Sequence, residues 1–287
     1  MVTTKTKLIG LLGYPLNFTF SPRMHNETFK RLGLDYFYFP IEVDNEHLAD
    51  VMNGIRYMNF GGYNVTKPNK VKVLDYLDEL DPLAEKIGSA NTVVAKDGKF
   101  RGYNTDGEGF VHALLDTTGL DLSATTFFVI GAGGASRALC FTLAVRGALK
   151  LTIIDKFDQV ARTLVDELNA KVGKCADFLP SEDAKAIESA IARSAVLINA
   201  SGIGMEPHLG ESPIPASFLH EGLFVCDIVY NPLKTKLLED AESMGLGIMN
   251  GIGMVVNQGA LAFSLWTGVP EPKKIMREVM DGIIAGL

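Results

Sequence analysis

Apolar and polar residues alternate along the chain at strand-like and helix-like spacings in turn. That pattern predicts an α/β protein with mainly parallel sheets. KLIGLLG (7–13) is a short apolar run and predicts a buried strand. Ser21-Pro22 predicts a helix start, serine as N-cap and proline in the first turn, with Gly33 as its end. YFYFPIEV (36–43) predicts a second strand, and 46–57 a helix with Leu48, Val51, Met52 and Ile55 on one face. FGGYNV (60–65) predicts a third strand that runs into the polar loop TKPNK. NTVVA and KFRGY flank Asp97-Gly98, a dipeptide suited to the positive φ angles of a type I′ turn, so 90–104 predicts a β-hairpin.

Beyond NTDG (104–107) and a predicted helix to about 118, the alternation becomes regular. Strands are predicted at TTFFVI (125–130), LTIID (151–155), 172–176, AVLINA (195–200), FVCDIVY (224–230) and GIMN (247–250). Helices fill the intervals, running to Arg146, over 157–170, from about 182 and over 234–244; two more close the chain near 252–266 and 271–285. There is no internal repeat or low-complexity tract. A domain break is expected near 105–120, and glycines at 61, 62, 107 and 109 would permit hinge motion.

Composition narrows the class. The chain has 287 residues, 47% hydrophobic and 21% charged, with 27 basic against 34 acidic side chains for a net charge of −7. Such a balance supports a packed core, and at this length about 75% of the unfolded surface can be buried. A pI near 5.3 argues against nucleic acid as a partner, because counterion displacement needs a basic face. The first eighteen residues lack a small-residue cleavage site, and no apolar run approaches the roughly 20 residues that span a bilayer. Cys140, Cys175 and Cys226 are odd in number and widely spaced, which suits buried thiols in a reducing compartment. The expectation is a soluble cytoplasmic protein without a membrane partner.

The first candidate chemistry is the turn Gly131-Ala132-Gly133-Gly134-Ala135-Ser136, placed between a predicted buried strand and a helix. Glycine lets the backbone turn tightly and approach a pyrophosphate, while the helix N-terminus offers free N–H groups and a positive dipole end. Ser136 replaces the third consensus glycine, which predicts a helix set slightly further from the strand. Asp155 ends the next strand, 24 residues after Gly131, close to the interval for a ribose-binding carboxylate. A carboxylate there accepts from the adenosine 2′- and 3′-hydroxyls and repels a 2′-phosphate, so NAD is the expected cofactor. Lys156 beside it keeps NADP as the alternative, and a helix-capping role is the other reading of Asp155.

Hydride transfer from an alcohol also needs a group that removes the hydroxyl proton. The histidines (25, 47, 112, 208 and 220) show no metal-ligand spacing, so no metal is expected. Polar residues cluster instead at the predicted strand ends of the first half: Asn64, Thr66 and Lys70, then Asn91, then Asp106. Singly, each is an ordinary turn, cap or surface residue.

Eight ordered segments resemble the shikimate/quinate dehydrogenase family: GYPLNFTFSPRMHN (13–26), GYNVTKPNK (62–70), IGSANTVV (87–94), GYNTDGEGF (102–110), GAGGASRA (131–138), INASGIGM (198–205), DIVYNPLKTKLL (227–238) and NGIGMVVNQGALAF (250–263). The resemblance implies an N-terminal α/β substrate domain over 1–108, to which helices 251–287 return, and a C-terminal Rossmann-like doubly wound dinucleotide-binding domain over 109–250, with a cleft between them. It implies that Lys70 and Asp106 are catalytic, Lys70 as general acid/base. Thr19 and Ser21 would hold a substrate carboxylate, and Asn64, Thr66, Lys70, Asn91, Asp106, Tyr230 and Gln258 would complete the substrate site. Gly131, Ala132, Gly133, Gly134, Ala135, Asp155, Lys156, Ser201 and Gly251 would bind the cofactor. Because a free lysine near pKa 10.4 is a poor base at neutral pH, Lys70 and Asp106 are expected to act as a coupled pair.

Two positions depart from the family's common pattern. Thr19 stands where serine is common, and Asp155-Lys156-Phe157 replaces the basic Asn-Arg-Thr-like stretch of NADP-specific members. Both resemble the branch that uses NAD and takes quinate as well as shikimate. The alternatives are a strictly NADP-dependent shikimate dehydrogenase and a non-catalytic dinucleotide-binding regulator. Monomer and homodimer are both compatible with the sequence.

Overall fold

The computed structural model describes residues 2–16 and 19–286; Asn17 and Phe18 of the 13–26 segment lie outside them. The chain forms two compact units, one running to Thr105 and resuming at Val256, the other spanning Asp106–Val255.

In the first unit, β1 (Lys7–Gly13), α1 (Ser21–Arg31), β2 (Tyr36–Glu42), α2 (Leu48–Arg56) and β3 (Phe60–Val65) follow the apolar runs. The pairs β1–β2 and β1–β3 are parallel. Then come β4 (Glu79–Leu80), α3 (Pro82–Ile87), β5 (Thr92–Lys96) and β6 (Lys99–Tyr103), giving a mixed sheet of order β2-β1-β3-β5-β6-β4. The hairpin forms as its turn dictates: Lys96 pairs with Lys99, Asp97 has φ 53° and Gly98 φ 75°. The core between this sheet and its helices includes Leu12, Leu48, Met52, Ile55, Tyr63, Val93 and Phe100.

Two local features differ from the sequence pattern. α3 lies in a stretch with no predicted element, although Asp81 caps it by accepting from the Leu83 N–H and Gly88 closes it in the left-handed conformation. Ser21 is not the N-cap of α1 but its first residue, and the Thr19 hydroxyl accepts the Ser21 N–H at 3.2 Å.

The second unit runs through α4 (Asp106–Thr118), β7 (Thr126–Ile130), α5 (Gly134–Val145), β8 (Lys150–Ile154), α6 (Asp158–Lys171), β9 (Ala176–Phe178), α7 (Ala184–Ile191), β10 (Val196–Asn199), β11 (Phe224–Asp227), α8 (Lys236–Ser243) and β12 (Ile248–Met249). Its sheet is wholly parallel in the order β12-β11-β10-β7-β8-β9, the doubly wound order of dinucleotide-binding folds. β9 lies at the far edge of the predicted 172–176 stretch, because Asn169 accepts the Cys175 and Ala176 N–H groups and delays pairing with β8. β11 stops at Asp227, three residues before the apolar run ends, where that side chain takes the Val229 N–H.

The chain closes with α9 (Ile252–Thr267) and α10 (Lys273–Ile284). Trp266 of α9 donates to the Val93 carbonyl at 3.0 Å, and Arg31 of α1 reaches Glu278 of α10 at 3.2 Å. Side-chain packing sets where the units divide. A Cβ on Gly107 would fall 1.9 Å from Thr142 Oγ1 and one on Gly253 2.9 Å from the Ala113 Cβ, so all of α4 and the first residues of α9 belong with the second unit. The first junction therefore falls before residue 108 and the second after residue 250. Gly62 and Gly107 are close-approach positions and not free pivots, since a Cβ on Gly62 would lie 2.3 Å from the Val93 carbonyl and 2.5 Å from Trp266. Among the described residues no helix is long and apolar enough to cross a membrane. The three cysteines are free thiols, Cys140 and Cys226 buried and Cys175 half-buried.

Candidate active site

In the first unit, Asn64 sits one residue before the end of β3, Asn91 directly before β5, and Thr105 two residues after β6. The tertiary fold joins them into one buried hydrogen-bond chain. Tyr38, from the middle of β2, donates its phenol hydrogen to Asn64 Oδ1 at 2.9 Å. Asn64 Nδ2 donates to the Asn91 carbonyl and to Thr92 Oγ1, both at 3.0 Å. Thr92 donates to Asn91 Oδ1 at 3.1 Å, and that same oxygen takes the Thr105 N–H at 2.7 Å. The Ser21 hydroxyl, at the start of α1, faces the Tyr38 phenol and pulls its pKa down against burial, so Thr19, Ser21, Asn64 and Asn91 are brought together.

The chain has a direction. A carbonyl can only accept, so the Asn91 carbonyl fixes which way the Asn64 amide points. Both Asn64 donors are then occupied, and its remaining capacity is one lone pair on Oδ1. A ligand meets this amide only by donating, as an alcohol does. Burial pushes the Tyr38 phenol far above its ordinary pKa, which keeps it neutral and able to donate. Beneath Tyr38 the His25 ring stacks at 4.6 Å among Phe29, Phe263 and Trp266. Its pKa is lowered to about 3 by burial, so it packs as a neutral aromatic, with neither ring nitrogen hydrogen-bonded among the described residues.

The remaining residues of the set lie on either side of Asn91 and on α9. Thr66 and Lys70 are half-buried in the loop after β3, which Asn69 anchors by donating to the Val43 carbonyl at 2.8 Å. The Lys70 carbonyl accepts the Ala90 N–H at 2.9 Å, holding the loop against the strand that carries Asn91. Gln258 is half-buried on α9. Asp106 follows Thr105 in the chain, is 7% exposed and opens α4, where the helix dipole favours a carboxylate. Lys70 belongs to the first unit and Asp106 to the second. Tyr38, Thr92, Thr105 and His25 were not among the sequence candidates, although His25, Thr92 and Thr105 each lie in a resembling segment. Tyr38 sits within an alternating β run, where nothing local separates it from Tyr36.

In the second unit the glycine turn stands at the C-terminal end of β7. Gly131 has φ 101°, and a Cβ there would lie 2.7 Å from the Ala200 carbonyl, so only glycine fits. Gly133 and Gly134 face open space, and α5 begins at Gly134 with no side-chain cap, leaving its first N–H groups for a ligand. Ala132 and Ala135 complete the turn. Ser136 is fully buried, and its hydroxyl is used by the Gly131 carbonyl. Asp155 lies just past β8: Oδ2 accepts the Ala132 N–H at 2.7 Å and Oδ1 the Phe157 N–H at 2.9 Å. It is thus both an anchor of the glycine turn and a brace for the chain entering α6. Lys156 is exposed, its Nζ 5.0 Å from the Phe157 ring centroid.

Ser201 follows β10 and donates to Asn199 Oδ1 at 2.7 Å. Gly251 packs on the chain beyond β11: its N–H donates to the Val229 carbonyl at 2.9 Å, and a Cβ would fall 2.1 Å from the Ile228 carbonyl. Tyr230 is half-buried on that same stretch, its phenol pKa raised by burial. The open glycines, the uncapped helix and Asp155 match the needs of a pyrophosphate and a ribose diol.

A doubly wound unit with this turn, joined to a unit carrying a buried chain of hydrogen-bonded side chains, is the architecture of a dinucleotide-linked oxidoreductase. Comparison with known proteins specifies the family. Residues 11–93 match the shikimate dehydrogenase substrate binding domain and residues 251–280 the shikimate 5′-dehydrogenase C-terminal domain. The chain is 41% identical over 283 residues to a shikimate dehydrogenase (NADP(+)) of Listeria innocua, covering 97% of both. Among solved structures it is similar to shikimate 5-dehydrogenase of Listeria monocytogenes in complex with shikimate and NAD (41% identity, TM-score 0.92, 97% of this chain and 98% of that one). It is also similar to quinate dehydrogenase of Corynebacterium glutamicum in complex with NAD (30% identity, TM-score 0.89, 96% of this chain and 99% of that one). The chain belongs to the shikimate dehydrogenase family, whose members are NAD(P)-dependent oxidoreductases.

Proposed function

We propose that this chain interconverts shikimate and 3-dehydroshikimate, and quinate and 3-dehydroquinate, with NAD as its preferred dinucleotide. The observation that carries the substrate half is the buried hydrogen-bond chain from Tyr38 through Asn64 and Thr92 to Asn91, which leaves Asn64 an acceptor for a ring hydroxyl. Thr19 and Ser21, at the start of α1, hold the carboxylate. Thr66, Asn91, Tyr230 and Gln258 complete the contacts with the ring. Lys70 and Asp106 handle the proton of the reacting hydroxyl, Lys70 as general acid/base and Asp106 orienting. When bound, the dinucleotide supplies the hydride acceptor. Gly131, Ala132, Gly133, Gly134 and Ala135 receive its pyrophosphate, Asp155 its ribose, and Ser201 and Gly251 line the site further along.

The cofactor preference rests on Asp155. Its carboxylate is held by two backbone N–H groups at the end of β8, where a 2′-phosphate would place like charges side by side. The second reading is NADP. It has the support of the names of the 40–43% identical relatives, shikimate dehydrogenase (NADP(+)), and of Lys156 beside Asp155. We favour NAD because Asp155 belongs to this chain, whereas the names describe other sequences. An initial-rate assay following reduced-nicotinamide absorbance, with shikimate or quinate and NAD or NADP, tests both parts. Turnover of both acids with NAD is the expected result. Turnover of shikimate with NADP alone would replace the cofactor and quinate assignments, and no turnover in any pairing would leave a dinucleotide-binding regulator.

A further inference from the structure

One buried ionisable group has no part in the proposed chemistry. Asp227 ends β11 with 1% of its surface exposed, beside Asn199 (0%) at the end of β10 and Thr235 (1%) just before α8. Its Oδ2 accepts from Asn199 Nδ2 at 2.9 Å and from Thr235 Oγ1 at 2.8 Å, and its Oδ1 accepts the Val229 N–H at 2.9 Å. Asn199 Nδ2 and the Val229 N–H can only donate, and the Thr235 hydroxyl donates to the ionised form, so the arrangement suits an anion; a proton on Asp227 would turn the Thr235 hydroxyl from donor to acceptor.

The same three residues set the shape of two loops. Asn199 donates also to the Ile203 carbonyl at 2.9 Å and accepts the Ser201 N–H and hydroxyl at 3.2 and 2.7 Å, which fixes the 200–205 loop. Gly204, at φ 103°, packs on Thr235, where a Cβ would come within 2.9 Å of Thr235 Cγ2. The loop's other end lies against the glycine turn, since Ala200 and Ser201 are what a Cβ on Gly131 would strike. On the other side Val229, held by Asp227, accepts the Gly251 N–H. β7 and β10 flank the point where strand order reverses, the place at which doubly wound sheets bind dinucleotides.

We propose that Asp227 is a positioning residue for dinucleotide binding: its ionised carboxylate clamps the 200–205 and 228–235 loops in the form that receives the dinucleotide. The inference rests on the dinucleotide reading of the second unit and adds to it the protonation state that reading requires. Burial raises the Asp227 pKa to about 6, against the opposing pull of Asn199, the Val229 N–H and Thr235. An acid whose pKa is raised on folding stabilises the fold in its protonated form, and that stability is lost as pH rises through about 6. The anion therefore works against stability at neutral pH, as expected of a carboxylate kept for function.

Other titratable groups of its surroundings do not compete for this role. Cys226 and Tyr230 have pKa values raised by burial and are neutral. Lys234 pairs with Glu242 and Lys236 with Asp240. Of the unit's histidines, His112 faces Glu108, His208 faces Glu211, and His220 faces the carbonyls of Ile191 and Glu221.

Calorimetric titration with NAD⁺ between pH 5 and 8 tests the clamp, because NAD⁺ has no group that titrates in this window. Wild-type Kd is expected to rise about tenfold per pH unit below about 6. Asp227→Asn places an amide against three donors, and its Kd should be about tenfold weaker at pH 7.5 and independent of pH. Thr235→Val removes one donor to the anion, so its acid limb should move to higher pH. Ile198→Val, from the neighbouring strand, is the control for general loosening and should keep the wild-type limb. An Asp227→Asn protein with wild-type Kd and limb would overturn the inference while leaving the dinucleotide reading intact. The inference would also fall if Asp227→Asn does not fold and the Thr235→Val limb stays in place. If the wild-type chain bound neither NAD⁺ nor NADP⁺, both would fall.

Discussion

Under the proposed function the two units recognise their ligands in opposite ways. In the second, the glycine turn presents backbone: open Gly133 and Gly134, an uncapped helix start, and one carboxylate, Asp155, tied back to the turn. In the first, side chains from β2, β3 and β5 and the residues beside them are already bonded to one another, from Tyr38 through Asn64 to Thr105. A pyrophosphate shared by all dinucleotides is met by groups that every residue carries, so the local chain path decides. A particular hydroxy acid needs a particular pattern of donors and acceptors, which only side chains supply. Such side chains hold their orientation in a buried site by satisfying one another.

Substitutions can break this contrast at several depths. The largest effect is expected at Lys70→Ala, which removes the proposed acid/base and should lower kcat by about 10²–10⁴-fold. Its NAD⁺ affinity by calorimetry should be unchanged; near-wild-type turnover would end the assignment. Asp155→Ala removes a charge-assisted contact and should weaken NAD⁺ about 10–100-fold and NADP⁺ less. An unaltered ratio of kcat/KM for the two dinucleotides would reduce Asp155 to a brace for α6. Tyr38→Phe deletes the phenol hydroxyl that donates to Asn64. It should raise KM for the hydroxy acid about 5–30-fold without moving KM for the dinucleotide. Equal losses for both would mean a structural role only. Ser136→Ala, which takes the hydroxyl from the Gly131 carbonyl, is the mildest at about 1 kcal/mol, read as a fall in Tm of roughly 2–4 °C.

Legibility in the sequence followed the same divide. The turn at 131–136 and the acid at 155 lie in one strand–helix–strand unit, where spacing alone carries the geometry. Asn64, Asn91 and Asp106 stood out as polar groups at strand ends. Tyr38 did not, because its partners Ser21 and Asn64 are 17 and 26 residues away and its neighbours Tyr36 and Phe37 give the same β pattern. Ser21 looked like a helix cap. Its hydroxyl faces the Tyr38 phenol instead, and the Thr19 oxygen accepts the Ser21 N–H. Asp227 sits in the middle of the apolar run 224–230, and nothing in its spacing from Asn199 or Thr235 marks a buried anion.

The alternation of apolar runs, the glycine turn and the eight ordered segments determined the α/β class, the order of the two units and the family, because periodicity and turn chemistry act over a few residues. Tertiary structure alone decided which polar groups meet. It brought Ser21 and Asn64 to Tyr38 and joined Asn199 to Thr235 through Asp227, and it gave Gly62 and Gly107 to packing where the chain suggested hinges. Hydrogen bonds and close approach act between neighbours in space. Those neighbours are set by strand order and register, which no short stretch of the chain contains.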